Sequence, residues 1–247
     1  PVPAREMTIN LKGKDALGKQ ELLVLNMLQT NDWKRPMYYA ITVSPDQFVK
    51  LDPYFQQTGM AYQIVPMQTK NTVKAVNADK MFDNVMNKFK WGGVDKPGIY
   101  LDENVMRMCK SYRMVLFGKL AATLIHEGKN DKALQVLDKC MEVLPPENVP
   151  LDYSALSIGE YYYTLGQKEK GHNILKAIGD DSMRNLNWYF RLNPKQFASV
   201  ADDLNTNLYV LQEIINITKD KDPELMNQYK EEFDNFRMAL SSLQPKE

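Results

Sequence analysis

Two glycines, Gly128 and Gly166, stand 38 residues apart, and the residues around them recur at matching offsets. The first copy has Phe117, Leu120, Ala121, Leu124, Gly128, Ala133, Leu137, Cys140 and Pro145; the second has Ala155, Ile158, Gly159, Tyr162, Gly166, Gly171, Leu175 and Ile178. A period of this length marks a supersecondary unit that buries its apolar face only by stacking on a neighbouring copy. Within each copy the order predicts a helical hairpin: a glycine ends the first helix, a small residue comes early in the second, and a large apolar residue follows four positions later. A small residue at the crossing lets two backbones approach, while Leu137 or Leu175 fills the adjacent hole. The stretch from Val115 to Met183 is thus expected to be the architectural centre of the chain.

The pattern resembles the tetratricopeptide repeat, with Phe117, Leu120, Ala121, Leu124, Gly128, Ala133 and Pro145 on its signature positions. The second copy departs from it at Ala155, Gly171 and Met183. In repeats of that type the first helices line a concave surface that holds extended peptides. Carried over by position, the resemblance implies that this partner-binding surface includes Ala122, Ile125 and His126 from the first copy, and Tyr153, Leu156, Glu160, Tyr163 and Thr164 from the second. Packing against a neighbouring helix, or simple solvation, is the alternative for each. Tyr161, Tyr162 and Tyr163 must point in different directions on a helix, so at least one is expected in the core and one in solvent.

Upstream, Met7–Leu11, Met37–Val43 and Ala61–Met67 alternate or run apolar in the manner of short strands. Gln20–Leu28 carries Leu22, Leu23, Leu25, Met27 and Leu28 and predicts a largely buried helix ending before Asn31. Met81, Phe82, Val85, Met86 and Phe89 mark one face of a helix over 79–89. Asp102 is a suitable N-cap for a helix that continues to Glu127. Downstream, Pro194–Thr218 and Pro223–Leu243 each open with a proline at a first-turn position. The expected fold is α+β and mainly α. A small α/β piece (1–97) leads into a tetratricopeptide-like array of helical hairpins (98–182) and a helical cap (183–247).

Lysine and arginine number 31, equal to aspartate and glutamate, so no global field gathers nucleic acid. No membrane-spanning run exists. A chain that opens without Met and meets a strand within six residues is expected to be part of something longer. Cys109 and Cys140 form no CxxC pair or disulfide framework and read as small buried apolar residues, a long-range disulfide being the alternative. Gly13–Lys19 fits G-x-x-x-x-G-K between a strand and a helix, but Gln20 stands where a magnesium-ligating hydroxyl is needed. A polar turn is the favoured reading; a self-contained phosphate-binding enzyme using residues 13–20, or a purely structural spacer, is the alternative for the chain. Only two histidines, His126 and His172, are present, and Asp180–Asp181 and Asp202–Asp203 lack a calcium-loop frame, which leaves them as solvated helix ends. No cofactor and no metal is expected.

The segments Asn31–Ala40, Leu51–Tyr54, Gly59–Tyr62, Asn87–Gly93, Tyr100–Asn104 and Ala133–Pro145 resemble the soluble carboxy-terminal region of a family of Bacteroidetes membrane proteins. That family is related to the transmembrane-260 type of protein O-mannosyltransferase. The resemblance implies an extracytoplasmic, periplasm-facing, non-catalytic module of a membrane glycosyltransferase. Its partners would be the membrane domain of the same parent chain and a polypeptide, such as the glycosylation acceptor. The family's catalytic acidic residues have no counterparts in this chain, so no catalytic role is transferred.

Overall fold

The structure, a computed structural model, describes residues 7–70 and 75–243. It divides into two compact units, Pro1–Lys90 and Trp91–Glu247. In the first, helix α1 (Lys19–Asn31) precedes an antiparallel sheet of β1 (Tyr38–Ala40), β2 (Phe55–Gln57) and β3 (Ala61–Ile64), in the order β1-β3-β2. Tyr39 pairs with Tyr62, and Gln57 with the same Tyr62 on the other side. One core joins Phe48, Leu51, Tyr54, Phe55 and Ile64, with Tyr39 and Tyr62 packed against it. Phe55 stacks on Tyr62 at 5.4 Å and meets Phe48 edge-on at 4.9 Å. Each such pair adds about 0.5–1.5 kcal/mol beyond its buried area.

Two expectations fail in this unit. Met7–Leu11 has no regular secondary structure and joins no strand; Met7 and Ile9 reach the core and the Thr8 carbonyl accepts from the Tyr54 hydroxyl at 3.2 Å. Helix α1 is not largely buried. Val24 and Leu28 pack on the core, but Leu22, Leu23 and Met27 are exposed, because apolar residues surround the whole helix and only one side has a neighbour. The unit closes with α2 (Ala78–Asp83), capped by Asn77, and a π turn over Asn84–Lys88.

The second unit is helical. Asp102 caps α3 (Glu103–Tyr112) as expected, accepting from the amides of Asn104 and Val105. A π-helical stretch, Arg113–Gly118, carries α3 into α4 (Lys119–His126), so the long first helix forms with a widened turn in its middle. Helix α5 (Asn130–Val143) returns beside α4, and α6 (Leu156–Thr164) pairs in the same way with α7 (Lys168–Tyr189). The two connecting turns are copies. Gly128 and Gly166 lie at φ 72° and 77°, where only glycine is unstrained. Gly128 N donates to Ile125 O and Lys129 N to Leu124 O; Gly166 N donates to Tyr163 O and Gln167 N to Tyr162 O. These are paired Schellman closures at an offset of 38 residues.

The second hairpin also crosses where its residues are smallest. A Cβ on Gly171 would stand 3.0 Å from the Gly159 carbonyl oxygen, and one on Gly159 would stand 2.7 Å from Leu175 Cδ2. Helix α7 does not end at Ile178 but runs to Tyr189, so Asp180–Asp181 lies in mid-helix. The expected helix from Pro194 breaks at Val200 into α8 (Pro194–Ser199) and α9 (Ala201–Thr218); α10 (Pro223–Leu243) follows. Helix α9 packs on α7, on α6 and on α10, extending the stack as a third hairpin.

Candidate functional site

The π-helical stretch of the first hairpin meets α6 of the second: a Cβ added to Gly118 would reach within 3.1 Å of Ser157 Oγ. The turn before α6 is tied to the first helix as well. Asp152 pairs with Lys110 at 2.8 Å and accepts from the Ser154 amide at 2.9 Å. Burial alone would raise the Asp152 carboxyl, but Lys110 and the hydroxyl and amide of Ser154 together hold it below the usual carboxylate range. Tyr153, beside this pair, remains exposed.

The face drawn from the sequence divides into accessible and buried positions. His126 and Thr164 are exposed, and Ala122, Ile125 and Glu160 are half-buried. Leu156 and Tyr163 are buried. Of the three consecutive tyrosines, Tyr162 and Tyr163 are core residues and Tyr161 is half-buried, so none is fully in solvent. The Tyr162 hydroxyl donates to Asp138 on α5 at 2.8 Å.

Tyr163 is held by the third hairpin. Its hydroxyl donates to Asp222 Oδ2 at 2.6 Å, and His172 Nδ1 lies 2.7 Å from the same oxygen. The other Asp222 oxygen accepts the Leu225 amide at the start of α10. Burial pushes the Asp222 carboxyl up, yet the bonds from Tyr163, His172 and Leu225 outweigh it and keep the pKa depressed. A second latch lies farther along. Tyr229 packs where Gly179 leaves room and donates to the Lys176 carbonyl at 2.9 Å and to Asp180 at 2.8 Å. Asp180 also pairs with Lys176 at 2.5 Å, which makes this aspartate part of a helix-to-helix latch and not a solvated terminus.

Sequence reasoning passed over Arg113, whose side chain is fully buried. It donates to the carbonyls of Pro150 at 2.8 Å and Leu144 at 3.1 Å, and also to that of Val149. It thereby closes the end of α5 and the loop that follows. Burial draws its pKa below the ordinary guanidinium value. The signal was present: Arg113 sits four residues before Phe117, on the same buried stripe as Leu120 and Leu124. Cys109 and Cys140 are both free and buried, and burial pushes the Cys140 thiol up to about 12.

The Gly13–Lys19 turn borders an open cleft of about 590 Å³ in the first unit. Glu21 occupies that turn from within, accepting from the Gly18 amide at 2.8 Å and pairing with Lys14. Asp46 and Asp52 line the same cleft. Lys50 lines it too, but the Gly18 amide and the Lys14 ammonium that a phosphate would need are both taken by Glu21. Among the described residues, no group of three or more His, Cys, Asp or Glu side chains could hold a metal ion. No helix among them is long and apolar enough to cross a membrane.

Residues 2–83 match the family described as TMEM260-associated domain 2. The match covers the first unit almost to its end and leaves the helical hairpins outside it. It supports a relation to TMEM260-type proteins, in which such a domain is an associated element with no evident catalytic part. No curated protein and no solved structure matches the chain.

Proposed function

We propose that this chain is a non-catalytic, extracytoplasmic accessory region of a membrane-embedded glycosyltransferase of the transmembrane-260 type. In this reading it holds a polypeptide, the glycosylation acceptor or another protein, on the first helices of its hairpins. The similarity of residues 2–83 to a TMEM260-associated domain supports the assignment to such a parent protein. The observation that carries the binding face is the close approach of the first helices at Gly118 and Ser157. Ala122, Ile125 and His126 are carried by the first of these helices and Glu160 and Thr164 by the next, with Tyr153 at the start of the second. Tyr153 offers a large rigid surface at small entropic cost, and His126, Glu160 and Thr164 offer hydrogen bonds to an extended main chain. Leu156 and Tyr163 serve beneath this face as packing.

Fluorescence anisotropy with unfolded acceptor peptides tests the reading. The combined change Tyr153→Ala and His126→Ala should weaken binding by about tenfold or more, since a few aromatic anchors carry most of such an interface. Absence of peptide binding, together with unchanged glycosylation by a parent protein lacking residues 91–243, would overturn it.

A further inference from the structure

We propose that α1 docks the first unit on an anionic lipid surface through the apolar face that the fold leaves uncovered. Residues 19, 22, 23, 26, 27 and 30 share one side of the helix by their spacing. All six are exposed: Lys19, Leu22, Leu23, Asn26, Met27 and Thr30. Leu22 is 53% and Leu23 59% exposed, although the opposite side of the same helix packs into the core through Val24 and Leu28. On this side Leu22, Leu23 and Met27 form an uncovered apolar patch among the polar Lys19, Asn26 and Thr30.

The chain then makes an unusual exit. Asp32 and Trp33 both adopt left-handed conformations, at φ 47° and 57°, which side-chain-bearing residues seldom take. Trp33 is exposed and borders a cleft with Leu25, Leu28 and Gln29, while exposed Lys34 and Arg35 border one with Met27 and Thr30. Strain of this kind persists where surrounding structure imposes it, often at functional positions.

Charge selects the occupant. No exposed position of α1 is acidic; its one carboxylate, Glu21, is buried against Lys14. In a chain with equal numbers of acidic and basic residues, the helix ends lean toward positive charge, with Lys19 at one end and Lys34 and Arg35 at the other, where exposed Asp32 pairs with Lys34 at 3.8 Å. An uncovered patch of leucine and methionine with lysine and arginine at its ends, and an exposed tryptophan just past the helix, match the boundary between headgroups and acyl chains. This inference stands apart from the peptide face and does not depend on it.

Co-sedimentation of the 247-residue protein with phosphatidylserine-rich and with pure phosphatidylcholine vesicles is the test. Binding to the anionic vesicles, weakened by salt, is expected, with a blue shift of tryptophan emission that Trp33→Phe removes. Leu23→Ser with Met27→Ser should weaken it by about tenfold or more, because both side chains leave water only on docking. Lys34→Glu with Arg35→Glu, which leaves the packed side of the helix untouched, should abolish the salt dependence. The proposal is overturned if neither vesicle binds or if neither pair of substitutions weakens binding. It is equally overturned if the serine pair instead dissolves a concentration-dependent dimer, or releases a protein partner while vesicle binding persists.

Discussion

Replacing Gly171 with alanine sets sequence pattern against packing. The first hairpin carries Ala133 at the equivalent position, and alanine in a helix interior is favoured over glycine by about 1 kcal/mol. Pattern alone therefore predicts a stabilised protein. In the folded chain, however, a Cβ at Gly171 would stand 2.7 Å from Tyr163 Cδ2, 2.9 Å from its Cε2 and 3.0 Å from the Gly159 carbonyl oxygen. The ring cannot swing aside freely, because its hydroxyl is bound to Asp222. Overpacking of this kind costs about 1–3 kcal/mol. Loss of the hydrogen bond to a carboxylate adds about 1–2 kcal/mol. Against the propensity gain, Gly171→Ala should destabilise by about 2 kcal/mol, lowering Tm by roughly 4–8 °C in a protein of this size. Calorimetry or denaturant unfolding measures it. The double variant Gly171→Ala, Tyr163→Leu should lose less stability than the two single changes added together, since the smaller side chain relieves the clash. A Gly171→Ala protein more stable than the parent would refute the reasoning.

Arg113→Met keeps an unbranched apolar stem but strands the carbonyls of Leu144, Val149 and Pro150. A loss of about 2–4 kcal/mol is expected in denaturant unfolding, despite relief from burying a charge, and unchanged stability would contradict this role. Acid should loosen the third hairpin. Asp222 and Asp180 have depressed carboxyl pKa values in the fold, so their contribution is complete above the unfolded value near 4 and is lost as pH falls through the folded value. Hydrogen exchange in α9 and α10 should therefore accelerate below about pH 4 ahead of exchange in α4 and α5. Tyr163→Phe should reduce that pH dependence by letting the Asp222 pKa rise toward its unfolded value.

The hairpins were legible because their requirements are local. A positive φ at Gly128 and Gly166, and room at Gly159 and Gly171, are demands that one or two residues meet by themselves. The end of α7 was not legible, because Asp180–Asp181 reads as a helix terminus until Tyr229, 49 residues away, supplies a partner. Strand β2 went unrecognised since three residues, Phe55–Gln57, offer too short a run for alternation to register. Burial of α1 was overestimated for a different reason: periodicity reports which residues are apolar and not whether anything covers them. Within the proposed binding face, the burial of Tyr163 was not legible because its partner Asp222 lies 59 residues away in another hairpin.

Site-specific photo-crosslinking in the full-length parent protein tests the proposed role most directly. A photoreactive residue at 126, 153 or 164 should capture acceptor polypeptide during glycosylation, whereas one at exposed position 231 on α10 should not. Equal capture from all four positions, or capture from none while glycosylation proceeds, would contradict a polypeptide-binding face on the first helices.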